Sequence, residues 1–132
     1  MSAAAHHAQN RKPFMPAYKL DLEIEQGATF EKTITWKAGT PAVAVNLTGC
    51  SARMQVRERM DAVAVLLNLT TTNGGITLDG ILGTVTLLAS ALQTGALTKH
   101  TGVYDLEIQF SDGTVKRLIY GAVSIAHKVT RA

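Results

Sequence analysis

The chain has 132 residues, of which 46% are apolar, 17% charged and 5% aromatic, with a formal net charge of +3. That length and apolar share suit one domain whose core is mostly Val, Leu, Ile and Ala. The single cysteine excludes an internal disulfide, the modest basic excess is not clustered as a duplex-binding patch requires, and no apolar run approaches a membrane span.

Residues 1–17 match no hydrophobic period. Pro13 and Pro16 disfavour helix and push their predecessors toward extended geometry. The stretch is expected to be an extended arm, with Phe14 and Met15 as apolar anchors and Arg11 and Lys12 as cationic contacts for a partner. It lacks the apolar centre of a secretory leader, so a reducing cytoplasm is the expected site of synthesis. The sequons at Asn46 and Asn68 then read as chance matches.

At Tyr18 the pattern changes, and a domain is expected over 18–132. Tyr18, Leu20, Leu22 and Ile24 alternate with Lys19, Asp21, Glu23 and Glu25, which predicts a half-buried strand. Gln26-Gly27 ends it. Phe30, Ile34 and Trp36 share parity in a second strand, followed by a turn at Ala38–Pro41 and a short extended piece over Val43–Leu47. Cys50, Ala52, Met54 and Val56 face inward in a third strand, with Ser51, Arg53, Gln55 and Arg57 outward. Val63–Thr70 is a fourth apolar run, and Asn73-Gly74-Gly75 a strong turn signal. Ile76 with Leu78, then Val85 with Leu87, predict two more strands.

Ser90 and Gln93 fit a capping box for one short helix ending near Leu97. Tyr104, Leu106, Ile108 and Phe110 face inward in the next strand, and Ser111–Thr114 makes a hairpin turn. The last strand runs from Val115 to about Ala126. Its inward parity starts as Leu118 and Tyr120 and changes to Val123 and Ile125, which predicts a bulge at Gly121. Short strands joined by Gly-rich turns argue for an antiparallel sandwich or a barrel.

No motif demands catalysis. His6, His7, His100 and His127 have no metal-ligand spacing, and Cys50 has no nearby His or Cys, so no metal or cofactor is expected. Cys50 lies on the inward parity, as a small buried hydrophobe does. Asp21, Glu23 and Glu25 form one outward acidic row and Asp105 and Glu107 another, read as solvated charges paired across strands with Arg53, Arg57, Lys116 and Arg117. The glycines form neither a phosphate loop nor a nucleophile elbow. Trp36 and the three tyrosines share parity with Leu and Ile, so core positions are expected rather than a sugar platform.

Four segments, "YKLDLEIEQGATFEKTITWKAGTP", "VNLTGCSARMQVRE", "NGGITLDGILGTVTLLASALQTGAL" and "VYDLEIQFSDGTVKRLIYGAVSIAHKVTR", occur in an order that resembles small structural proteins of tailed bacteriophages. The order is similar, more loosely, to the N-terminal β-sandwich of phage baseplate upper proteins. The resemblance covers everything but the arm. It implies an all-β, immunoglobulin-like or related sandwich with one short helix. It also implies a non-catalytic virion component that works in multiple copies beside other virion proteins, with neither nucleic acid as main partner nor membrane. An adaptor of the tail, baseplate or neck is the leading expectation. A capsid decoration protein and a carbohydrate-binding attachment module are the alternatives. No catalytic residue carries over, and the arm and Cys50 both depart from the shared pattern.

Overall fold

Period-two alternation builds this chain. In the computed structural model, which describes residues 17–131, eleven strands and one helix follow in order: β1 (Tyr18–Lys19), β2 (Leu22–Glu25), β3 (Phe30–Thr35), β4 (Lys37–Ala38), β5 (Val43–Ala44), β6 (Ser51–Arg57), β7 (Leu67–Thr70), β8 (Ile76–Asp79), β9 (Thr84–Ala89), α1 (Ala91–Gly95), β10 (Thr101–Gln109) and β11 (Val115–Ala126). The main sheet has the order β7-β6-β10-β11, with β1 and β2 both along the far side of β11. A second sheet has the order β3-β9-β8, and β4 and β5 form a small ribbon. The architecture is all-β and sandwich-like. Its sheets are antiparallel except at one edge, where β1 and β2 run parallel to β11.

The core takes the inward residues of both larger sheets. Ile24, Met54, Leu69, Leu106 and Ile108 from one join Ile34, Ile76, Val85 and Leu87 from the other. Trp36 is 1% exposed and lies against Phe110 with ring centroids 5.9 Å apart. The residues expected inward on β6 and β10 are buried, except Cys50, which is half-buried against the core.

The capping box forms as expected. Ser90 Oγ accepts from Gln93 N–H (3.1 Å), and Gln93 Oε1 accepts from Ser90 N–H (2.8 Å). The helix stops at Gly95, two residues short of Leu97, which enters the core instead. Fully buried Thr94 ties the helix to the β2–β3 turn, because its hydroxyl donates to Ala28 O and accepts from Gly27 N–H.

Three expectations need correction. The first strand is not continuous, since the ladder breaks between Leu20 and Asp21. The Leu20 carbonyl turns inward to accept the Tyr104 hydroxyl, and Asp21 Oδ1 accepts the Ala122 N–H (3.0 Å) in place of a backbone carbonyl. Tyr18 is consequently 44% exposed and not core.

The bulge lies at Leu118 rather than Gly121. Leu106 pairs with Ile119 but Glu107 with Arg117, so Leu118 is the extra residue, and Leu118 and Ile119 are both buried. Tyr120 therefore turns to the outer face, where the Arg117 guanidinium sits 4.6 Å from its ring centroid. Gly121 has a different role. A Cβ there would lie 2.9 Å from Asp21 Oδ1 and closer still to Leu20 O, so only glycine lets the broken edge approach. Gly121→Ala is expected to cost about 1–3 kcal/mol, read as a lower denaturant midpoint with unchanged slope.

The fourth apolar run becomes a strand only from Leu67. Val63 is 94% exposed, on a loop that Arg57 holds by donating to Ala62 O and Val63 O, both at 2.8 Å. The half-buried arginine's bonds to this loop outcompete extension of the ladder there.

Burial of Tyr104 pushes its phenol well above the ordinary tyrosine range, with Tyr18 and Asp21 adding to the shift. A raised folded-state value stabilises the fold below the unfolded value, near pH 10, and that contribution is lost as pH rises further. Tyr104→Phe should remove this alkaline dependence and cost about 1 kcal/mol at neutral pH for the lost bond to Leu20 O. Urea titrations at neutral and alkaline pH measure both effects.

Candidate interaction face

The same alternation that fills the core sets an outward row on each strand of the main sheet. Register then aligns those rows into three transverse ladders. Arg53, Glu107 and Arg117 form the first, Gln55, Asp105 and Tyr120 the second, and Arg57, Val103 and Ala122 the third. Arg53 Nε donates to Glu107 Oε1 at 2.9 Å. Arg117 stands beside Glu107 on the other side and over the Tyr120 ring. The bulge at Leu118 is what brings Tyr120 to this face.

The face is open and corrugated. A groove of about 540 Å³ runs over Arg57, Val103, Arg117 and Tyr120, with Lys19 and Met60 at its rim. A hollow of about 260 Å³ lies by Arg53, Thr70 and Glu107, and another of about 200 Å³ between Arg53, Gln55, Asp105 and Glu107. Met60 is 91% exposed on the loop that Arg57 holds. Arginine, tyrosine and methionine on a fixed, accessible surface are the residue types that anchor protein partners.

Arg53 and Arg117 flank an outward carboxylate as the sequence suggests. Arg57 is spent on its loop, and Lys116 lies on the inward parity opposite Ile108. Asp21 is not a simple solvated member of its row, because it plugs the break in the β-edge. The expected arm contacts Arg11, Lys12, Phe14 and Met15 lie outside the described residues. His100 and His127 stack with centroids 4.1 Å apart, a pairing that their separation in sequence hides. His127 Nε2 is 2.9 Å from Lys99 O. Among the described residues no group of three or more His, Cys, Asp or Glu side chains is placed to hold a metal. Tyr120 is the residue of this face that the sequence reading missed; the bulge that turns it outward depends on register with β10, which periodicity in β11 alone does not carry.

Trp36, the best sugar platform by residue type, lies inside the sandwich. Its fluorescence is expected to be blue-shifted and indifferent to added saccharides, and a red-shifted emission that responds to sugar would contradict this packing. No protein-family model matches the sequence, and no curated protein aligns with it.

Proposed function

We propose that the chain is a non-catalytic structural subunit of a tailed-phage virion, an adaptor of the tail, baseplate or neck that docks through the outer face of its main sheet and through its N-terminal segment. The phage assignment rests on the sequence resemblance. The observation that supports a docking role is the outer face itself, a broad open surface where Arg53, Arg117, Tyr120 and Met60 are presented on paired strands and a held loop. Partners of a symmetric assembly meet through faces of this kind, with a few aromatic and arginine anchors supplying most of the binding energy.

The test is whether the chain travels with particles. Tailed-phage particles carrying the gene are purified by density gradient and their proteins quantified by mass spectrometry. The reading expects the chain at a fixed stoichiometry to the tail proteins. A stoichiometry that follows the major capsid protein supports decoration of the shell instead, and absence from particles overturns the virion role.

A further inference from the structure

The two edges of the sandwich are finished differently. At β7 two of the outward backbone groups are satisfied internally. Thr71 N–H donates to Ala52 O (3.1 Å), which with the register of β6 and β7 points the backbone groups of Asn68 and Thr70 away from β6. Asn73 covers two of them, with Nδ2 donating to Asn68 O (3.0 Å) and Oδ1 accepting from Thr70 N–H (2.9 Å). That edge is partly covered.

On the opposite side β2 ends the main sheet and β3 ends the second sheet. Among the described residues, the β2–β3 turn covers one outward group, with Ala28 N–H donating to Glu25 O (3.1 Å), and no side chain or loop covers the others of either strand. A groove of about 370 Å³ lies between them, lined by Asp21, Glu23, Glu25, Glu31 and Lys32. No ion pair among the described residues uses Glu23, Glu25 or Glu31. Carboxylates on an open edge deter two like edges from pairing, since the same acids would meet face to face. They favour an incoming strand that is basic.

This chain carries such a basic segment. Residues 1–17 contain no Asp or Glu, and residues 1–12 contain no proline. His6, His7, Arg11 and Lys12 supply positive or protonatable groups. The residues between Lys12 and Tyr18 span at most about 20 Å when fully extended. From Tyr18 to Glu25 along the edge is about 23 Å. The chain's own Lys12 therefore reaches only part of the edge, and only by doubling back on the strand that begins at Tyr18. A neighbouring copy has no such constraint.

We propose that the β2–β3 edge accepts residues 6–12 of a second copy as an added strand, with Arg11 and Lys12 set against Glu23, Glu25 and Glu31. Backbone pairing provides the affinity and the carboxylates select the basic segment. The proposal deepens the assembly reading above, and rests on it in that copies must lie side by side.

The test uses the full chain, with isotope-labelled and unlabelled copies mixed and treated with a zero-length carbodiimide, which joins a lysine only to a carboxylate in contact. Cross-links between Lys12 of one isotope and Glu23, Glu25 or Glu31 of the other are expected. The double variant R11E/K12E should weaken self-association about tenfold or more, and adding E23K/E25K should restore part of it. Links confined to one copy, or no links from Lys12 to this edge, overturn the proposal. Glu23 and Glu25 are exposed, and circular dichroism checks that the variants fold. Inter-copy links in a protein absent from particles would leave this proposal standing and remove the virion role. Presence in particles without those links would do the reverse.

Discussion

Replacing Trp36 with alanine is expected to lower the unfolding free energy by about 3–5 kcal/mol. That loss is a large part of the roughly 5–15 kcal/mol available to a domain. The indole is 1% exposed, packs on Phe110, and sits where the chain leaves β3. Its backbone is fixed on both sides, since Trp36 N–H donates to Gly83 O (2.8 Å) and its carbonyl accepts from Val45 N–H (2.9 Å). The neighbours therefore cannot collapse easily into the space left behind. Among the described residues, buried Trp36 Nε1 has no hydrogen-bond partner, and a donor left unpaired in this way costs about 1–3 kcal/mol. Trp36→Phe removes that unpaired donor and keeps a ring against Phe110, so it should be far milder than Trp36→Ala. Chemical unfolding followed by far-ultraviolet circular dichroism measures both. A phenylalanine variant as damaged as the alanine one would contradict the packing described.

The second large effect is functional. Arg117→Glu combined with Tyr120→Ala is expected to lower incorporation into particles about 100-fold while the domain stays folded, because it removes two anchors and reverses a charge on the outer face. Arg117 is exposed and Tyr120 half-buried on the outer face, and neither belongs to the core. Thr77→Lys, on the exposed face of the other sheet, serves as the control and should incorporate normally. Quantitative mass spectrometry of purified particles provides the comparison. Equal incorporation of the variant and the control would remove the outer face from the docking surface.

Much of the fold is legible in the sequence because alternation reports burial directly. In β6 and β10 the parity of single residues gives both the core side and the outward rows. The capping box is legible for a similar reason, as its two reciprocal bonds involve residues three apart. Features that depend on a distant strand are not. The bulge at Leu118 exists only in register with β10, and without that register Tyr120 has the parity of a core residue. The break at Leu20–Asp21 is set by Tyr104 and Ala122, far along the chain. Arg57 draws in the loop that hydrophobicity alone would assign to a strand.

The interaction face was legible only in pieces. The outward charges of β6 and β10 can be read from the chain, but which arginine meets which carboxylate depends on strand order. Lys116 and Arg117 are adjacent in sequence and lie on opposite parities, so one takes part in the face and the other does not. The stacking of His100 on His127 likewise follows from the start of β10 lying beside the end of β11. The open β2–β3 edge has no local signature at all, because a strand's place at an edge is a property of the whole sheet.

Gold-labelled antibody electron microscopy of tailed-phage particles carrying the gene locates the chain. An adaptor role requires label at the tail tip, baseplate or neck. Label spread over the capsid would contradict the adaptor position, and particles without label would contradict the virion role itself.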